Sequence, residues 1–189
     1  MSKKFLAITG GPGAGKTTLL ESLQKECCDH VKILPEAAGI LFGGGFPRIQ
    51  KFQETKKSSQ RCIFHIQKEM QKIYKILPEY SVILCDRGTL DGLAYWPGTE
   101  EEFFREMQTT KEQEFAEYEA ILHLRSPNDS NGYNYQNPLR IETSEEAKII
   151  DEKIKNIWKS HPKYFEVSGQ KHFFDKIQKS YEFLKEYLA

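Results

Sequence analysis

Residues 10–17 read Gly-Gly-Pro-Gly-Ala-Gly-Lys-Thr, between the apolar run Phe5–Thr9 and a stretch from Lys16 to about Cys28 that sets Leu19, Leu20 and Leu23 on one side of a helix. The spacing G-x-x-x-x-G-K-[ST] between strand and helix constrains this chain more than any other feature. Glycines at these positions let backbone N–H groups turn inward around phosphates, and the helix N-terminus adds partial positive charge. Gly10, Gly11, Pro12, Gly13, Ala14 and Gly15 form the cradle, with Lys16, Thr17 and Thr18 completing the nucleotide-binding set. Lys16 is placed to reach the β- and γ-phosphates of a nucleoside triphosphate, ATP or GTP, and the Thr17 hydroxyl to ligate Mg²⁺.

The rest of the chain alternates strand-length apolar runs with helical periods, the pattern of an α/β fold with a parallel sheet. Further strands are expected at Val31–Leu34, Ser81–Cys85, Ala120–Leu124 and Tyr164–Val167. Three consecutive glycines between Phe42 and Pro47 mark a loop. From Glu54 to Leu77, Ile63, Ile66, Met70, Ile73 and Leu77 recur at steps of three and four, which predicts one long amphipathic helix. Gln67, beside Ile66, reads as its solvated flank. Capping boxes at Thr99/Glu102 and Thr143/Glu146 open two more helices, the second with the buried stripe Ala147, Ile150, Ile154 and Ile157. A last helix carries Phe174, Ile177, Tyr181, Leu184 and Leu188 on one face. Residues 126–138 have turn composition and no apolar period, so a lid is expected over about 126–141, within a single domain spanning 1–189.

Charge limits the partners. The 189 residues carry 27 basic and 27 acidic side chains, which argues against a nucleic-acid binder with a broadly basic surface; an anion must be held locally. The long helix has a basic face (Arg48, Lys51, Lys56, Lys57, Arg61, Lys68, Lys72, Lys75) against only Glu54 and Glu69, and the acid-rich stretch Glu100–Glu119 is its natural counterpart. No transmembrane run or signal-peptide layout is present, and Cys27, Cys28, Cys62 and Cys85 show no metal-ligand spacing, so a cytoplasmic protein with reduced thiols is expected.

The strand ending Val-Ile-Leu-Cys-Asp86 resembles a Walker B strand, whose Asp holds Mg²⁺ directly or through water. The following residue is Arg87, where a mechanical ATPase would carry a Glu, and Asp86-Arg-Gly-Thr89 fails the DxxG switch of signalling GTPases. Glu36 closes the second strand at the sheet end where open α/β folds bind ligands, and its carboxylate either orients an acceptor hydroxyl or caps a helix. Arg87 either contacts phosphate or pairs with Asp91 or Glu36. Arg125 and Arg140 flank the lid as charge stabilisers for the transferring group, and Arg48 is a weaker substrate candidate.

GGPGAGKT together with PEAA (35–38), QRCIFHIQKE (60–69), LCDRGTLDGLAYWPG (84–98) and NPLRIETSEEA (137–147) resembles the NadR/trap-door-type AAA-family P-loop domain, which includes nicotinamide-riboside-kinase-like proteins and many ATPases. The resemblance implies a three-layer α/β/α P-loop NTPase of nucleoside or nucleotide kinase type, with a parallel sheet in the order 2-3-1-4-5. It further implies that Asp86 and Arg87 line the phosphate-transfer site, that Glu36 faces the acceptor, and that Arg140 lies in the lid. Where the family often has PEAAR, position 39 is glycine, so that guanidinium is absent. Two readings remain open at this level. One is transfer of the γ-phosphoryl group to a small hydroxylated acceptor, with Lys16, Glu36, Asp86, Arg87 and Arg140 as the catalytic set. The other is a nucleotide-dependent module or ATPase recognising a phosphoinositide or a protein.

Overall fold

The computed structural model describes residues 3–26, 29–126, 143–168 and 173–188. The expected lid, Arg140 included, lies outside the described residues except for Ser126, as do Cys27 and Cys28. Five strands, β1 (Lys4–Thr9), β2 (Val31–Leu34), β3 (Val82–Asp86), β4 (Ala120–Leu124) and β5 (Tyr164–Val167), pair in parallel in the order β2-β3-β1-β4-β5. The helices are α1 (Lys16–Glu26), α2 (Ala37–Gly43), α3 (Gln53–Ile76), a 3₁₀ helix (Thr89–Tyr95), α4 (Glu100–Met107), α5 (Lys111–Ala116), α6 (Ser144–Trp158) and α7 (Phe173–Leu188).

Alternation along the strands divides the core into two. Leu6, Ile8, Leu84 and Leu122 face α1 and α7, where they meet Leu19, Leu23 and Leu184. Phe5, Ala7, Ile83, Cys85 and Ile121 face the other layer and meet Phe64 of α3, Phe103 of α4 and Ile154 and Trp158 of α6. Strands buried on both faces read as continuous apolar runs, which is why β1, β3 and β4 were visible in the sequence. Each fully buried leucine or isoleucine contributes about 1.5–3 kcal/mol, and truncating Leu84 to alanine would cost about 2–5 kcal/mol. Cys85 belongs to this core, and burial pushes its thiol up to about 12.

The structure departs from the expected pattern at four places. First, α2 is a short helix that the glycine-rich composition concealed. Second, the expected stripe of α3 is only partly covered: Ser59, Phe64, Gln67 and Gln71 are the buried residues, while Ile63, Ile66, Met70 and Leu77 are half-buried and Ile73 stays 55% exposed. Hydrogen bonds make the polar choice tolerable, since Gln71 Nε2 donates to Tyr118 Oη at 2.8 Å and Gln67 Nε2 to the Arg87 carbonyl at 3.2 Å. Third, Thr99 caps α4 by accepting from Glu102 N at 3.2 Å, but the Glu102 carboxylate goes to Lys57 at 2.6 Å, so the box is not closed; a closed box occurs instead at Thr110/Gln113. Fourth, α7 packs Ile177, Tyr181, Leu184 and Leu188 on the core as expected but leaves Phe174 75% exposed, and it also buries Lys176, Ser180 and Tyr187.

The basic face of α3 meets the acids of α4, α5 and the turn after α5. Lys57 pairs with Glu102, Arg61 with Glu106, Lys68 with Glu114 and Glu117, and Lys75 with Glu117. Among the described residues no helix is long and apolar enough to cross a membrane.

Candidate active site

The loop after β1 is pressed against the end of β4 and the side of α6. Gly10 has φ 133°, and a Cβ on it would lie 2.0 Å from the Leu124 carbonyl oxygen. A Cβ on Gly11 would lie 2.6 Å from Ser126 Oγ and 2.7 Å from Asp151 Cβ. Both positions therefore exclude larger side chains, independently of any need for flexibility. Lys16 is buried at the first position of α1 and its ammonium donates to the carbonyls of Gly10 (2.7 Å) and Gly11 (2.9 Å). Burial, reinforced by Arg87, lowers its pKa to about 8, against the pull of Asp86, Glu36 and Asp91. Thr17 and Thr18 follow on the exposed side of the same turn.

The end of β3 brings the other charged groups to this loop. Burial, with Glu36 adding to it, pushes the Asp86 carboxyl up to about 6, and its Oδ1 is buried without a hydrogen-bond partner among the described residues. Arg87 has φ 80°, a left-handed conformation unusual for an arginine. Its backbone holds that conformation from both sides, with N–H donating to the Ile8 carbonyl (3.1 Å) and the carbonyl accepting from Gln67. The guanidinium consequently points back over the loop. Nε donates to Glu36, Nη1 donates to the Gly10 carbonyl (3.3 Å), and Nη1 lies 3.6 Å from Asp91 Oδ2. Asp91 is fixed from behind by Thr9 Oγ1 and by Trp158 Nε1 at 2.8 Å.

Glu36 occupies the N-cap position of α2 but makes no side-chain capping bond. Its carboxylate goes to Arg87 instead, and that guanidinium holds it below the usual carboxylate range; Lys16 and Arg48 act in the same direction. Of the two roles open to Glu36, helix capping is therefore the one the geometry does not use.

Lys16, Glu36, Asp86 and Arg87, four of the residues singled out from the sequence, thus converge at the C-terminal edge of the sheet. Arg125 does not join them. Its guanidinium is taken by Asp151 (2.7 Å), Glu152 (2.8 Å) and Glu166 (3.7 Å). Arg48 sits with its guanidinium 5.0 Å from the Phe42 ring centre, close enough to act on Glu36. Gln67 is buried and supports Arg87, contrary to its reading as a solvated flank.

Sequence reasoning missed the back wall of the loop. Asp151 accepts from the Gly11 N–H at 2.8 Å, Ser126 Oγ donates to the Pro12 carbonyl at 3.0 Å, and Lys176 donates to the Ala14 carbonyl at 2.6 Å. Burial lowers the pKa of Lys176 to about 8. One signal was available: Asp151 lies four residues after Ala147 and three before Ile154, on the apolar stripe of its helix, where a carboxylate requires partners.

The sequence profile of a family described as an AAA domain matches residues 5–173. The chain belongs to this AAA-domain family. No curated protein matches the sequence. Among solved structures, deoxyadenosine kinase from M. mycoides with bound dATP superposes with a TM-score of 0.63 at 13% identity, covering 96% of this chain and 99% of the kinase. The same enzyme with dCMP and dCDP gives 0.62 at 15% identity, over 96% of this chain and 99% of the enzyme. Thymidylate kinase from Candida albicans gives 0.60 at 13% identity, over 98% and 92%. This member of the family therefore has the fold of a nucleoside-kinase-like P-loop NTPase, with the sheet order 2-3-1-4-5.

Proposed function

We propose that this chain, acting as a single domain over 1–189, transfers the γ-phosphoryl group of ATP or GTP to the hydroxyl of a small acceptor of the nucleoside or nucleotide class. The observation that carries the reading is the meeting of Lys16, Asp86 and the Glu36–Arg87 pair beside the glycine loop. The kinase-like fold supports it. Phosphoryl transfer passes through a loose transition state, so the protein's work is positioning and charge stabilisation more than covalent chemistry.

The groups have separable roles in this account. N–H groups of the loop and the start of α1 hold the triphosphate, and Lys16 leaves the carbonyls of Gly10 and Gly11 for the phosphate oxygens. Arg87 stabilises charge on the moving group. Glu36, kept ionised by Arg87, accepts a hydrogen bond from the acceptor hydroxyl and orients it; its low basicity suits a reaction that needs little proton abstraction before bond breaking. Asp86 Oδ1, which has no hydrogen-bond partner among the described residues, and the Thr17 hydroxyl fit a hard cation of the Mg²⁺ type. Such an ion, when bound, neutralises charge on the β- and γ-oxygens.

The alternative reading, a module for anionic lipid or protein partners, drew on the basic face of α3 and on the absence of a Glu after Asp86; the pairing of Lys57, Arg61, Lys68 and Lys75 with α4, α5 and Glu117 weakens the first of these. Calorimetric titration with MgATP and MgGTP, followed by a panel of nucleosides and nucleoside monophosphates against the complex with a non-hydrolysable ATP analogue, tests the proposal. A nucleotide site plus one saturable nucleoside-like ligand supports it; a nucleotide site with no such second ligand would overturn it.

A further inference from the structure

Asp151 is a carboxylate only 2% exposed, carried on α6, with its acceptor capacity directed at the glycine loop and its surroundings. Oδ1 accepts from the Gly11 N–H at 2.8 Å and faces His123 Nε2 at 3.0 Å. Oδ2 accepts from the Ser126 N–H at 3.2 Å and pairs with Arg125 Nε at 2.7 Å. Four donors from the loop after β1, from β4 and from the turn after β4 therefore converge on one side chain.

We propose that Asp151 is a positioning residue for the phosphate loop: it fixes the orientation of the Gly10–Gly11 peptide, and through it the inward aim of the N–H groups that follow. The nucleotide consequence rests on the reading given above, while the structural consequence does not.

The chemistry requires a carboxylate. An ionised Asp is acceptor-only on both oxygens and can meet four donors, whereas an asparagine would turn an NH₂ group toward two of them. The charge is matched as well. Arg125 neutralises the carboxylate from outside, and Glu152 and Glu166 hold that guanidinium in place. His123, on β4 and fully buried, contributes Nε2–H, while its Nδ1 has no partner among the described residues. That arrangement uses the imidazole as a donor toward Asp151, with its ring packed edge-on against Tyr164. The groups facing Asp151 include His123, Arg125 and, more distantly, Lys176 and Tyr164, and among the described residues no second carboxylate accepts from the Gly11 N–H. Close packing removes slack, since α6 approaches Gly11 so tightly that a Cβ there would also lie 2.9 Å from the Ala147 carbonyl oxygen. The N–H of this peptide is held by one charge-assisted hydrogen bond and by contact, while its Gly10 carbonyl accepts from Lys16 (2.7 Å) and Arg87 (3.3 Å); no other side chain accepts from the Gly11 N–H among the described residues.

The test uses the full chain and two readouts. Amide hydrogen exchange of the nucleotide-free wild type should show the Gly11 N–H protected comparably to the Leu6, Ala7 and Ile8 amides of β1. In Asp151→Asn its exchange should rise about tenfold or more while the β1 amides stay protected, and ADP affinity by calorimetry should fall about tenfold, the loss of a hydrogen bond to a charged group. Glu152→Gln, which removes an outer partner of Arg125 and leaves Gly11 untouched, should change neither. Free exchange of Gly11 in the wild type, or equal acceleration at β1 and Gly11 in Asp151→Asn, would overturn the proposal; the wild-type measurement decides even if the variant does not fold. If the wild type binds no ADP or ATP, the nucleotide reading fails, and the role of Asp151 is judged on exchange alone.

Discussion

Replacing Asp86 by asparagine should make the protein more stable at neutral pH while removing its activity. Burial and the neighbouring Glu36 raise the carboxyl from 3.8 to about 6, and Oδ1 has no hydrogen-bond partner among the described residues. A displacement of that size corresponds to about 3 kcal/mol held against the charged form. The asparagine amide remains partly unsatisfied at the same place, so about 2 kcal/mol of gain is expected, or roughly 4–8 °C in Tm for a chain of this size. The pH dependence supplies the sharper check. A carboxyl whose folded pKa is raised binds more protons when folded, so its penalty is complete above about pH 6 and fades as the pH falls toward 3.8. The advantage of Asp86→Asn over wild type should accordingly shrink between pH 7 and pH 4 in metal-free thermal melts. A variant that melts lower than wild type at pH 7, or whose advantage is the same at both pH values, would refute the reasoning.

Three further outcomes follow from particular contacts. The kcat/KM profile should fall below about pH 6 as Asp86 takes up a proton and above about pH 8 as Lys16 loses one, and the alkaline limb of ADP binding should move lower in Asp86→Asn, because Asp86 helps to hold the Lys16 proton. Gln67→Leu removes the bond to the Arg87 carbonyl, so kcat should drop roughly ten- to hundredfold through misplacement of the guanidinium while nucleotide affinity, measured separately by calorimetry, stays near wild type. Lys68→Ala leaves the buried Glu114 without its cation; urea unfolding should show a loss of about 2 kcal/mol with an unchanged m-value.

Much of the scaffold was legible because it depends on local chemistry. Strands buried on both faces carry continuous apolar runs, the glycine loop has its own spacing, and the Thr143/Glu146 box that opens α6 is closed as expected. Resemblance to a known family added the strand order, which periodicity alone does not contain. Legibility failed where long-range hydrogen bonds overrode hydrophobic period. Gln67 and Gln71 turn inward because Arg87 and Tyr118 wait for them across the fold, and no window of α3 reveals those partners. The same limit hid the wall behind the loop, since Asp151 lies 140 residues from Gly11. Arg125 illustrates the converse: its position suggested a phosphate contact, but three carboxylates claim it.

The central claim is that Lys16, Asp86, Arg87 and Glu36 assemble a phosphoryl-transfer site that acts on a small hydroxylated acceptor. The most direct measurement is transfer of label from γ-labelled ATP and GTP to a panel of nucleosides and nucleoside monophosphates, run on wild type, Lys16→Ala and Glu36→Gln. The account expects label in one acceptor class with wild type, none with Lys16→Ala, and a loss with Glu36→Gln that leaves ATP binding intact. Label released only as inorganic phosphate, at a rate indifferent to every acceptor and to Glu36→Gln, would contradict it.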